Sequence, residues 1–169
     1  VDFLPLYSID STNMEPHHWL GMAKAVQNNY DSYDGFVILH GTDTMSYTGA
    51  ALSYLIQNSA KPIVITGSQR PVSMEITDAK HNIYDSFLYA CDDNSHDVSI
   101  VFDGHVIAGT RARKIRTKSF NAFESIDFPD IAVIRNEQII RYIREPKPSE
   151  TEVRFSDSLS KNIFVLKLT

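Results

Sequence analysis

Short apolar runs recur through the first hundred residues: Phe36-Val37-Ile38-Leu39, Ile63-Val64-Ile65 and residues 98–102. Runs of that length without polar alternation fit strands covered on both faces, as in a parallel sheet. Segments with helical spacing lie between them. Trp19, Met22, Ala23, Val26 and Tyr30 form one apolar face, with Pro16 suited to a first helical turn and Thr12 or Asn13 to its cap. Tyr47, Ala51, Leu52, Leu55 and Ile56 form a second, which Lys61-Pro62 ends. A third helix begins near Thr77 or Asp78 and carries Ile83, Phe87 and Cys91 four apart, with Tyr84 and Leu88 beside them. Strand–helix alternation with short links predicts a doubly wound α/β domain, with a mostly parallel sheet and flanking helices.

The ends of the chain are less regular. Residues 3–9 are mixed apolar and run into Asp10-Ser11-Thr12-Asn13, which predicts a strand and then a polar loop. After Asp103 the pattern changes to short strands and turns, such as Ile131-Ala132-Val133-Ile134 and residues 138–143, with a turn or linker at Pro146 and Pro148. Residues 163–168 are apolar again and predict one more strand. There is no internal repeat.

Composition narrows the class. A chain of 169 residues is about one domain by length. With 43% hydrophobic and 11% aromatic residues it can fill a core, which excludes a disordered chain. One cysteine excludes a disulfide scaffold and an all-cysteine metal site. No apolar run approaches the roughly 20 residues of a membrane helix. The net charge is −5, yet Arg111, Arg113, Lys114, Arg116 and Lys118 crowd one stretch without an acid. A mildly acidic chain with one basic loop is not a general nucleic-acid binder.

In open α/β sheets ligands bind beyond the carboxyl ends of the strands. Three predicted strand ends are rich in small hydroxyl and acid residues: Asp10-Ser11-Thr12, Gly41-Thr42-Asp43-Thr44 and Gly67-Ser68-Gln69. Two lead towards helix N-termini, where free N–H groups favour an anion. A ligand carboxylate fits there, and Asp43 could hold an ammonium group beside it. Together these suit an amino acid. The same residue types also serve as plain helix caps, and Gly41 and Gly67 as plain turn residues. Neither loop has a phosphate-binding glycine pattern.

Thr42 is a weak nucleophile unless a base takes its proton, and a lysine out of water can serve as that base. Lys114 is one candidate, although by composition alone it reads as a surface lysine. His17, His18, His81, His96 and His105 lack metal-ligand spacing, and His40 reads as a residue that orients the Gly41 turn. Asp92, Asp93 and Asp97 read as a solvated turn, and Cys91 as core.

The segment from Asp34 to Met45, Asp-Gly-Phe-Val-Ile-Leu-His-Gly-Thr-Asp-Thr-Met, closely resembles the bacterial-type L-asparaginases, in particular the cytoplasmic type I branch. Thr66-Gly67-Ser68-Gln69-Arg70-Pro71 resembles the family's second block, and Asp10-Ser11-Thr12-Asn13-Met14 its substrate loop. Gly109-Thr110-Arg111-Ala112-Arg113-Lys114, followed by Phe120-Asn121-Ala122-Phe123, resembles its lysine block. The resemblance implies hydrolysis of the side-chain amide of L-asparagine to L-aspartate and ammonia, with no cofactor or metal and with no nucleic-acid or membrane partner. It implies that Thr42, Asp43 and Lys114 are catalytic, with Thr42 and Lys114 as the hydroxyl–amine pair. It implies that Ser11 holds the α-carboxylate, flanked by Asp10 and Thr12. Asp43 would hold the α-ammonium group, and the Ser68 carbonyl would face the leaving amide. Homodimers or homotetramers are implied for the complete protein.

Two departures shape the expectation. The family opens with a strand that ends in a Thr-Gly-Gly-Thr-type motif carrying the primary nucleophile, with a lid tyrosine nearby, and neither stands in these residues. It also has a smaller C-terminal domain. Residues 1–160 are therefore expected to be the N-terminal domain without its first strand, and residues 161–169 the first strand of the second domain. Such a fragment would be inactive alone. Arg113 stands where the family often has threonine, so the regulatory site of some type I members is not carried over. Two other readings remain: the asparaginase-like subunit of a tRNA-dependent amidotransferase, and a non-catalytic amino-acid-binding relative.

Overall fold

The computed structural model describes residues 1–160 and 162–166. Its first strands are β1 (Phe36–Leu39), β2 (Ile56–Gln57), β3 (Ile63–Thr66), β4 (Val98–Phe102) and β5 (His105–Ala108). Then follow β6 (Ala112–Lys114), β7 (Phe123–Ser125), β8 (Ala132–Arg135), β9 (Gln138–Arg141) and β10 (Arg154–Phe155). The helices are α1 (Pro16–Asn29), α2 (Met45–Leu55) and α3 (Ala79–Ala90). No helix among the described residues is long and apolar enough to cross a membrane.

Six strands form the central sheet in the order β1-β3-β4-β5-β8-β9. β1, β3 and β4 run parallel, with Phe36 opposite Ile63 and Ile63 opposite Val98. β5, β8 and β9 extend the sheet as antiparallel hairpins. The hairpins turn on Asp103-Gly104 and on Asn136-Glu137, all four with positive φ. Two-residue loops of that kind match the twist of the strands they join.

Side-chain alternation divides the core. Ile63, Ile65, Ile100 and Phe102 face α1 and α2, meeting Met22, Val26, Met45, Leu52 and Leu55. Val64, Val101, Val106, Ala132 and Ile134 face the other way, onto Tyr89 of α3. Helices therefore cover both faces, and the α/β class with flanking helices is the one expected. Leu52 is wholly buried, and such burial contributes about 1.5–3 kcal/mol.

Several local expectations change. Residues 3–9 form no strand: Phe3 is 81% exposed and nothing pairs with the segment, and an unpaired strand has no ladder to hold it. Thr12 and Asn13 do not cap α1. They belong to a short 3-10 turn whose cap is Asp10, while the cap of α1 is Glu15, in a reciprocal box with His18. β1 is an edge strand and only half covered, unlike the buried β3 and β4. On α2 the inward face is Met45, Thr48, Gly49, Leu52 and Leu55; Tyr47 points to solvent and Ile56 belongs to β2. On α3 the buried face is Ala79, Asn82, Asp85, Ser86 and Tyr89, and Tyr84, Phe87 and Cys91 are exposed. Polar partners rotate both helices away from the apolar count. Residues 163–166 are exposed and carry no strand, and Lys167 and Leu168 of that expected strand lie outside the described residues.

Candidate active site

The site begins where two parallel strands end together. Leu39 of β1 is opposite Thr66 of β3. The pairing continues one residue further, with His40 N–H donating to the Thr66 carbonyl at 2.8 Å. Both strands then yield loops that leave the sheet in step. Gly67 must be glycine here, because a Cβ would fall onto the His40 carbonyl oxygen. At Gly41 a Cβ would lie 2.6 Å from Ser11 Oγ. That bare backbone lets the loop containing Ser11 pack against the first strand end. Thr44 Oγ1 locks the contact by donating to the Ser11 carbonyl at 2.7 Å. The three strand-end segments singled out in the sequence thus meet at one rim.

The fourth part arrives from far along the chain. β6 pairs with β7, Lys114 lying opposite Phe123. Lys114 reaches the rim with its side chain 15% exposed. Its Nζ donates to Thr42 Oγ1 at 2.8 Å and to Asp43 Oδ1 at 2.7 Å. Thr42 in turn donates to Gln69 Oε1 at 3.0 Å. The Thr42 oxygen is therefore an acceptor towards the amine and a donor towards an amide. Asp43 is more than half exposed, which leaves its carboxyl group open to a cation from solution.

Asp10 and Thr12 are exposed and bonded to each other: Asp10 Oδ1 accepts from Thr12 N–H at 2.9 Å and from its hydroxyl at 2.8 Å. These bonds, the backbone one first, hold the Asp10 carboxyl below its ordinary range. Ser11 between them is buried against Gly41. Ser68 is half-buried on the Gly67 loop.

His40 orients the turn and does not touch Thr42. Its Nδ1 bonds the Gly41 carbonyl at 2.6 Å and its Nε2 meets Thr48 Oγ1 at 2.8 Å, while Trp19 Nε1 donates to the same Thr48 oxygen at 2.9 Å. The Gly41 carbonyl can only accept, so Nδ1 carries the hydrogen, and in the neutral ring Nε2 accepts from the Thr48 hydroxyl, whose oxygen in turn accepts from Trp19. Burial pushes His40 below the usual histidine range, against the opposing pull of the Gly41 bond.

In the sequence Gln69 stands out only as part of a strand-end triplet. Strand register would have singled it out. Leu39 pairs with Thr66, so the third residue beyond each strand is Thr42 and Gln69. Asp78 and Asn82, which hold the Gln69 loop from below, carry no sequence signal beyond that of a helix start. A cavity of about 740 Å³ opens at the other end of the parallel strands beside Asn58, Asp97 and Val98. Among the described residues no three His, Cys, Asp or Glu side chains are placed to hold a metal ion.

Residues 1–147 match the family described as Asparaginase, N-terminal. The chain belongs to the asparaginase family. It is 34% identical to the L-asparaginase of Thermococcus kodakarensis over all of its own length and 51% of that protein's. It is 36% identical to a glutamyl-tRNA(Gln) amidotransferase subunit of Methanobrevibacter smithii, covering 96% of this chain and 39% of that one. The solved structure of the thermostable L-asparaginase from Thermococcus kodakarensis superposes with a TM-score of 0.87 at 34% identity, over 93% of this chain and 47% of that one. The chain thus spans about half the length of these asparaginases.

Proposed function

We propose that the complete protein carrying this chain hydrolyses the side-chain amide of L-asparagine, releasing L-aspartate and ammonia. The observation that carries the reading is Lys114 Nζ within 2.8 Å of Thr42 Oγ1 and 2.7 Å of Asp43 Oδ1. In this reading Asp43 binds the substrate α-ammonium group, Ser11 its α-carboxylate, and the Ser68 carbonyl faces the leaving amide. Asp10 and Thr12 shape the turn that presents Ser11. A threonine of the type the family carries before these residues attacks the amide carbon. Ammonia leaves, and water then cleaves the resulting ester. Thr42 and Lys114 relay the proton: with Lys114 as the neutral amine, the Thr42 hydroxyl turns from Gln69 to Nζ and passes its hydrogen there while its oxygen takes the proton of the attacking hydroxyl, and the ammonium so formed supplies the proton that leaves with ammonia. Backbone N–H donors such as that of Thr42 stabilise the developing oxyanion. Ammonia release from L-asparagine by the product of the complete reading frame tests this. No release from any linear amide would sink it.

The likeness to an amidotransferase component supports a second reading, in which the ammonia is passed to a partner acting on tRNA. Phosphate contacts weaken steeply with salt. Binding of tRNA that falls off between 50 and 200 mM salt, on the order of a thousandfold for six or more phosphates, favours the amidotransferase. Its absence at low salt favours the free-standing hydrolase.

A further inference from the structure

Asp78 occupies the N-cap position of α3, yet its carboxyl group does not cap that helix. It faces backwards. Oδ2 accepts the Gln69 N–H at 2.8 Å and Oδ1 the Arg70 N–H at 3.1 Å. Thr77 takes over the capping, with Oγ1 3.1 Å from Ala79 N, and gives its hydrogen to the Arg70 carbonyl at 2.9 Å. One turn on, Asn82 is wholly buried. Its Nδ2 donates to the Gly67 carbonyl at 2.9 Å and to Asp78 Oδ2 at 3.2 Å, and its Oδ1 accepts from Asp103 N–H at 2.9 Å.

Buried polar side chains are tolerated where their bonds are made. Here four of the bonds made by Thr77, Asp78 and Asn82 go to the backbone of one loop. Gly67 and Arg70 are held by their carbonyls, Gln69 and Arg70 by their N–H groups. The loop so held carries the Gln69 side chain, whose Oε1 accepts from Thr42 and whose Nε2 donates to the Ser119 carbonyl at 3.1 Å. That second bond decides which end of the amide faces Thr42, so the Thr42 hydrogen points at Gln69 and its lone pair is left for Lys114.

We infer that Asp78 and Asn82 are positioning residues which act through the Gln69 loop to set the direction of the Thr42 hydroxyl. This rests on the proposed role of Thr42 and Lys114. Neither Asp78 nor Asn82 touches the reacting atoms.

The test uses the complete reading frame and a double-mutant cycle of Asp78→Asn with Gln69→Ala, read by kcat, KM and hydrogen exchange of the segment containing Gln69 and Arg70. Asp78→Asn keeps the shape and replaces one acceptor with a donor. It should speed exchange at those two amides and lower kcat at least about tenfold, with KM moving less than about threefold. Added to Gln69→Ala, it should cost no further turnover, because residues acting in series are not additive. Equal losses in both backgrounds, or a loss of kcat without faster exchange, overturn the inference. So does a lower Tm with kcat intact. If Asp78→Asn does not fold, Asn82→Ser is read by the same cycle and the same outcomes. A wild-type protein that hydrolyses no amide removes the proposed function instead; exchange then decides positioning alone, and unchanged exchange at Gln69 and Arg70 overturns it.

Discussion

Lys114 Nζ gives one N–H to Thr42 Oγ1 at 2.8 Å across 72 positions of sequence. Asp43 takes a second, so the amine is anchored from two sides. Lys114→Met keeps much of the packing and removes both bonds. In the complete protein it should lower kcat by about 10²–10⁴-fold, the usual worth of a positioned acid–base group. Steady-state kinetics check this, and wild-type kcat in Lys114→Met would remove the relay.

Gly67 and Gly21 predict opposite results for the same change. A methyl at Gly67 falls on the His40 backbone oxygen, which cannot move without opening the junction of β1 and β3. Gly67→Ala should cost about 1–3 kcal/mol in urea unfolding. A methyl at Gly21, inside α1, meets the hydroxyl of Tyr7, an exposed side chain free to swing away. Gly21→Ala should be neutral or gain up to about 1 kcal/mol from helix propensity.

Asp85 is 2% exposed in its side chain, with its Oδ2 unbonded. His81 Nε2 lies 3.1 Å away but out of hydrogen-bonding alignment. Burial raises its carboxyl above the ordinary aspartate range; nearby His81 pulls it down and Asp103 pushes it further up. A folded-state pKa above the unfolded one gives stability that is complete below the unfolded value and lost as pH rises through the folded value. Asp85→Asn should therefore raise Tm by a few degrees at pH 8 and much less at pH 4. Calorimetry at the two pH values checks it, and equal shifts would refute the assignment.

His40 shows the reverse sign. Its depressed pKa keeps the ring neutral in the fold. The stability it supplies is present above the unfolded value of about 6.5 and falls away as pH drops towards the lower folded value. A nitrogen-15 titration should find His40 as the Nδ1–H tautomer, taking up its second proton at a lower pH than an exposed histidine. Thr48→Val, which strands Trp19 Nε1 and His40 Nε2, should cost about 1–3 kcal/mol.

Much of the frame is legible in residues 36–102. The apolar runs became β1, β3 and β4, and the strand-end loops at Gly41 and Gly67 came together as parallel strands require. Thr42 and Asp43 stand out at a predicted strand end, and Lys114 only through the family resemblance. Residues 3–9 failed because apolar content promises a strand only where a neighbour offers a ladder.

What the sequence determined by itself is what local periodicity encodes: where strands and helices lie, and which loops end them. The tertiary structure decided which faces turned inward and which distant groups met. On α3 the apolar spacing of Ile83 and Phe87 yielded to a buried polar face on which Asn82 and Ser86 are hydrogen-bonded. Asp78 turned from a cap into a clamp on the Gln69 loop. A polar side chain gains from burial only when its partner is in place. That partner is set by sheet register and by contacts such as Lys114 to Thr42, 72 positions apart, which no local window of sequence contains.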